Sequence, residues 1–130
     1  GLETSELLVS KGNKVTVVEM ADKIAPGAWF QQLDDALPVL EKAGTEFLTS
    51  HKLLSVSSSG IELENLKENK AVAIKVDLVV LSLGVRSDDS LYNDIKNSDS
   101  YKVYNIGDSK KIGRIANATE SAYQLVMNIE

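Results

Sequence analysis

The stretch Asp77-Leu78-Val79-Val80-Leu81-Ser82-Leu83-Gly84 constrains the fold more than any other part of the chain. It is short, apolar at both odd and even positions, and ends on glycine. As a strand it would turn hydrophobic side chains to both faces of a sheet, the habit of parallel sheets covered by helices on each side. Lys14-Val15-Thr16-Val17-Val18 has the same character, rich in β-branched residues and brief. The covering helices are legible too. Leu2, Leu7, Leu8 and Val9 recur at helical spacing and stop at Gly12-Asn13; Leu33, Ala36, Leu37, Leu40 and Ala43 recur before Gly44; and apolar residues return at that spacing from Ile115 to Ile129. Pro38 lies inside the second run, so that helix either kinks there or begins there.

Between these elements Glu46-Phe47-Leu48 forms a short strand. Lys52 to Ser57, Ile61 to Glu64 and Ala71 to Val76 follow as three more, with turns at Gly60 and Glu68-Asn69-Lys70, the pattern of an antiparallel meander. A short helix is expected around Leu91 to Ile95, and a last short strand at Val103 to Asp108. The expected fold is therefore α/β: a Rossmann-like parallel sheet carrying a three-stranded antiparallel meander. One departure stands out. Such a domain opens on a strand, whereas this chain opens on a helix, so the usual first strand is lacking.

Composition bounds the function. With 130 residues, 43% of them apolar, the chain has the material for one ordinary globular core. A net charge of −5 argues against a nucleic-acid surface. With no cysteine, the segment has no disulfide, redox-active thiol pair, thiolate zinc site or iron–sulfur ligation. No apolar run is long enough to span a bilayer, and Glu3 and Glu6 stand where the basic start of a signal peptide would be, so a cytoplasmic, non-membrane protein is expected. No pairing of nucleophile and base suggests hydrolase or transferase chemistry, and no catalytic or metal-binding residue is assigned.

The chemistry-bearing residue is Glu19, directly after the strand ending at Val18. An acidic side chain at that strand end can accept hydrogen bonds from the ribose hydroxyls of a dinucleotide and repel a 2′-phosphate. Gly1, at the start of the preceding helix, fits the last glycine of a G-x-G-x-x-G turn, though one glycine is weak evidence.

Taken in order, Gly1-Leu2-Glu3-Thr4, Gly12 to Glu19, Glu41-Lys42-Ala43-Gly44-Thr45, Asp77 to Arg86 and Tyr104-Asn105-Ile106-Gly107-Asp108 resemble the nicotinamide-binding domain of pyridine nucleotide-disulfide oxidoreductases. They are most similar to the C-terminal part of the NADH:flavin oxidoreductase and 2,4-dienoyl-CoA (2-enoate) reductase group. The resemblance implies a truncated nicotinamide domain over residues 1–97 and the C-terminal segment of an FAD domain over 98–130. It implies that Gly1 and Glu3 open the helix facing the pyrophosphate, that Glu19 holds the ribose and favours NAD(H) over NADP, and that Gly84 closes the pocket. Gly107 and Asp108 would then match the FAD signature, with Ile115 and Ala116 beside the flavin. FMN and an iron–sulfur cluster would belong to the parent enzyme alone, and the remainder of that flavoenzyme would be the partner. The implied function is to position NADH for hydride transfer to flavin, without activity as an isolated chain. The alternative is a degenerate nucleotide fold serving as a binding module.

The missing strand would lie between those at Val15 and Val79. Either Lys102 to Ile106 fills that slot, with Gly107 imitating the lost glycine turn, or a neighbouring copy supplies a strand in a homodimer or strand swap. Blander roles compete elsewhere. Asp108 could be a turn or helix-capping residue, His51 a surface residue, Trp29-Phe30 the cover of a core edge, Arg86 half of a surface ion pair, and Asp34-Asp35 and Asp88-Asp89 solvated faces.

Overall fold

The computed structural model describes residues 1–129, and the chain divides into two compact units, Gly1–Ser82 and Leu83–Glu130. In the first, helix α1 (Leu2–Ser10) leads to strand β1 (Thr16–Val18), helix α2 (Phe30–Lys42) and strand β2 (Glu46–Leu48). Strands β3 (His51–Ser57), β4 (Gly60–Asn65) and β5 (Lys70–Ile74) follow. Helix α1 ends where Gly12 N–H donates to the Val9 carbonyl and Asn13 N–H to that of Leu8, satisfying the carbonyls a helix leaves open.

β1 and β2 pair in parallel, Val17 opposite Phe47, with α2 as the crossover. β3, β4 and β5 form the antiparallel meander, with a register irregularity between Leu53 and Ser55. This is the α/β architecture expected from the sequence, a parallel pair beside a three-stranded antiparallel meander. Gly60 opens β4 with φ +130°, where a Cβ would sit 2.1 Å from the Ile74 carbonyl oxygen, so no side chain fits the β3–β4 turn. Helix α2 runs from Phe30 through Pro38, earlier and longer than its apolar spacing suggests. Pro38 and Asp34 are both exposed, so the Asp34 carbonyl that loses its helical donor can be hydrated.

Two expectations are corrected. Residues 77–84 join no ladder, although their composition is that of a buried strand; Leu78 is 67% exposed and Leu81 60%. A strand is defined by its partners, and no strand among the described residues lies beside this segment to accept its hydrogen bonds. Nor, among the described residues, do residues 102–106 form the expected strand; β1 pairs with β2. The core is also smaller than composition promises. Among the described residues only Ala36, Leu40 and Leu63 are buried apolar side chains. In the second unit α3 (Ser90–Ile95), a 3-10 turn at Gly107–Ser109 and α4 (Ile115–Asn128) bury no residue fully.

Candidate functional site

Glu19 follows β1 and is held from several sides. Its N–H donates to the Leu48 carbonyl at 2.9 Å, and its own carbonyl accepts from His51 N–H at 3.0 Å. Its carboxylate turns back on the loop: Oε1 accepts from Ala21 N–H at 3.0 Å. The next turn is pinned in its turn, since Ser50 N–H donates to the Ala21 carbonyl at 2.8 Å from a buried position with φ +55°. Half-buried and fixed through Oε1, the carboxylate presents Oε2 as an oriented acceptor, suited to a hydroxyl. Glu19 stands at the strand end where the sequence placed it. Its supports, Ala21 and Ser50, come from loops without periodic spacing and carried no signal.

Helix α1 begins at Gly1 with no side-chain cap, so its first-turn N–H groups are open to an anion at the positive end of the helix dipole. Ser5 is buried beneath this end, its hydroxyl donating to the Gly1 carbonyl at 3.1 Å. A Cβ on Gly1 would meet Ser82 Oγ at 3.3 Å, a contact tight enough to favour glycine where helix and chain pass closely. An open cleft of about 360 Å³ lies here, lined by Gly1 and Glu3 on α1 and by Ala28, Gln32 and Asp35 from the α2 side. The structure thus brings Gly1 and Glu3 to one cleft. Glu19 is not among its lining residues. In the loop side of the cleft, Ala25 to Gln32, the sequence singled out Trp29-Phe30, which do not line it.

The charge of this cleft cuts two ways. Glu3, Glu6 and Asp35 line it and no lysine or arginine does, so a phosphate there would rest on neutral donors, the backbone N–H groups and the Gln32 amide. Glu3 and Asp35 are exposed and therefore well screened. Oriented amides at a helix start are the kind of donor that receives a dinucleotide pyrophosphate, which is recognised mainly through backbone.

The second unit holds the remaining expected residues. Gly107 N–H donates to Ser121 Oγ at 3.2 Å, tying the 3-10 turn to α4. Asp108 Oδ1 accepts from Gly113 N–H at 3.1 Å and closes the 108–113 loop. Asp108 is therefore a loop-closing residue and not the cap of α4, which falls at Arg114 with Asn117 Oδ1 accepting from the Arg114 N–H. A cleft of about 850 Å³ beside the turn is lined by Tyr104, Gly107, Lys110, Asn117, Ser121 and Gln124, among others. Ile115 and Ala116 open α4 in exposed positions, Ile115 at 85%. Gly84 lies in an exposed segment, with open space where a Cβ would be.

Among the bland readings, His51 is half-buried and its Nδ1 lies 2.7 Å from the Thr49 carbonyl, a structural contact. Trp29 and Phe30 remain exposed, their rings tilted with centroids 6.4 Å apart. Among the described residues no cluster of His, Asp or Glu could hold a metal ion, and no helix is long and apolar enough to cross a membrane.

An α/β unit with a carboxylate fixed at the end of β1 and an uncapped helix start has the arrangement that dinucleotide-binding folds share. Comparison with known proteins gives the family. Residues 1–122 match the family described as pyridine nucleotide-disulphide oxidoreductase, and the chain belongs to it. It is an NAD(P)- and FAD-related oxidoreductase domain. It is 38% identical over 90 residues to the bilirubin reductase of Mediterraneibacter gnavus, covering 66% of this chain and 13% of that protein. It is 30% identical over 132 residues to the NADH oxidase of Thermoanaerobacter brockii, covering 99% of this chain and 20% of that one. The solved 6-hydroxypseudooxynicotine amine oxidase of Pseudomonas geniculata N1 superposes with a TM-score of 0.72 at 28% identity, covering 98% of this chain and 20% of that one. A 2-naphthoyl-CoA reductase complex shares the fold at the same TM-score and 23% identity, covering 99% of this chain and 19% of that one. The chain spans about a fifth or less of each relative.

Proposed function

We propose that this chain is the nicotinamide-binding portion of an NADH- and FAD-dependent oxidoreductase, placed nearest the NADH:flavin oxidoreductase and 2,4-dienoyl-CoA reductase group, and inactive alone. The observation that carries this is Glu19, whose carboxylate is locked through Oε1 with its second oxygen left to accept a ribose hydroxyl. In this reading Glu19 selects NADH by repelling a 2′-phosphate, and the α1 amides beginning at Gly1 and Glu3 receive the pyrophosphate. Bound nicotinamide supplies a hydride and flavin accepts it. Residues 1–97 serve the nicotinamide side, closed by Gly84. Residues 98–130 serve the FAD side, with Gly107 and Asp108 at the flavin's ribityl chain and Ile115 and Ala116 beside its ring. The chain's own residues hold and orient, and none is assigned to proton transfer. The remainder of the flavoenzyme is the partner. A cytoplasmic location goes with this reading and is checked by cell fractionation.

Calorimetric titration with NADH, and with NADPH as control, tests the proposal. Micromolar NADH binding, about −8 kcal/mol, with weaker NADPH binding supports it. Equal affinity for both cofactors removes the role of Glu19. A second reading, a binding module without redox activity, is favoured by the acid-lined cleft; heat with neither cofactor would support it.

A further inference from the structure

Thr49 and Ser50 form the turn between β2 and β3, where the parallel pair gives way to the meander. In an extended chain successive N–H groups point to opposite sides, so neighbouring residues do not both donate to one short segment. A residue in the left-handed region breaks that alternation and brings two successive N–H groups to the same side. Ser50 is such a residue, with φ +55°. Its N–H donates to the Ala21 carbonyl at 2.8 Å, and the next N–H, that of His51, donates to the Glu19 carbonyl at 3.0 Å. Both donors therefore grip the same loop. The conformation suits glycine better than serine, and the surroundings hold it: Ser50 is buried, and its carbonyl accepts from Leu66 N–H at 2.8 Å just beyond β4. The His51 ring ties the turn further. Its Nδ1 lies 2.7 Å from the Thr49 carbonyl, which can only accept, so Nδ1 carries the proton.

The loop gripped here is the one that orients the Glu19 carboxylate. Ala21 is fixed at both ends, its carbonyl by Ser50 and its N–H on Glu19 Oε1 at 3.0 Å. The bonds close a ring that runs from Glu19 through Ala21 and Ser50 to His51 and back to Glu19. Ser50 acts on the carboxylate through Ala21.

We infer that Ser50 is a positioning residue for Glu19: its left-handed turn sets the direction of the carboxylate and, through it, the preference between NADH and NADPH. This rests on the reading of Glu19 as the ribose acceptor. A β-branched residue is hostile to φ +55°, so Ser50→Val drives the turn out of the left-handed region and parts its N–H from Ala21. The Ala21 N–H then loses its support, and the carboxylate is free to change rotamer. A ribose hydroxyl meets an acceptor that no longer points at it, and a 2′-phosphate meets a charge that can swing away.

Calorimetry of the full chain with NADH and with NADPH reads this preference in Ser50→Val, Ser50→Gly, Glu19→Gln and the double variant of Ser50→Val with Glu19→Gln. Ser50→Val should lower the ratio of NADH to NADPH affinity about tenfold. Ser50→Gly accepts φ +55° and keeps the N–H, so it should hold the wild-type ratio. Combined with Glu19→Gln, Ser50→Val should no longer move the ratio, because the charge it positions is gone. A merely structural role would weaken both cofactors alike, whatever stands at position 19. Amide hydrogen exchange gives a reading without cofactor: Ser50→Val should speed exchange at Ala21 about tenfold, and Ser50→Gly should not. If circular dichroism shows Ser50→Val unfolded, Ser50→Ala replaces it, with the same direction expected. A ratio that moves in Glu19→Gln but not in Ser50→Val, or an Ala21 amide indifferent to Ser50→Val, overturns this inference and leaves the ribose reading standing. A ratio that stays put in Glu19→Gln, or no binding of either cofactor, overturns the ribose reading and this inference with it.

Discussion

Replacing Glu19 by glutamine separates its binding role from its structural one. In the folded chain Oε1 accepts from the Ala21 N–H, and a glutamine carbonyl keeps that bond; what is lost is the charge and the second acceptor. A hydrogen bond from a hydroxyl to a charged acceptor contributes about 1.5–3 kcal/mol, roughly twice a neutral one, so NADH affinity should fall about tenfold. NADPH should gain. A carboxylate about 4 Å from a 2′-phosphate costs about 4 kcal/mol per charge pair at an effective dielectric of 20, and screening at physiological salt leaves a tenfold effect well within reach. The ratio of NADH to NADPH affinity should therefore shift by roughly a hundredfold, measured by calorimetry on both cofactors. Glu19→Ala is the complementary variant: it also removes the Ala21 bond, so it should cost about 1 kcal/mol of stability as well. If Glu19→Gln melts like the wild type and the affinity ratio stays within about twofold of its original value, a change under half a kcal/mol, the selector argument is wrong.

Stability tests follow from the small core. Among the described residues Leu63 and Leu40 are the fully buried large side chains, so Leu63→Ala should cost about 2–5 kcal/mol in urea denaturation and loosen the whole meander. Gly60→Ala should cost about 2–4 kcal/mol, because a Cβ would overlap the Ile74 carbonyl oxygen and φ +130° is hostile to alanine; the melting temperature reads it. Asp88 accepts from the Ser90 hydroxyl and N–H, which hold its carboxyl below the usual carboxylate range. With its folded pKa depressed, the contribution at the start of α3 is present above the unfolded value and lost as pH falls through the lower folded one. An NMR titration should thus show Asp88 protonating below pH 3.8 with loss of the Ser90 contact, and Ser90→Ala should return it towards the ordinary value.

What the sequence revealed and what it hid divide along a physical line. Local patterns were legible: the β-branched run before Glu19, the alternating strands around Gly60, and the helical spacing of Leu33 to Ala43 each encode their element within a few residues. The place of Glu19 at a strand end was legible because it depends on one short run. The Ala21 and Ser50 supports were not, because a loop conformation pinned by bonds between residues 21 and 50 leaves no periodic trace. Asp77 to Gly84 shows the limit from the other side. Every propensity in it favours a strand, yet propensity supplies no hydrogen-bond partner, and without one the segment stays outside any ladder. The same logic governs the core. An apolar fraction of 43% measures what could be buried, not what has something to be buried against. Leu78, Leu81 and Ile115 stand exposed where an adjoining strand or helix would cover them. Burial is thus set by the neighbours an element meets, which composition counts but does not place.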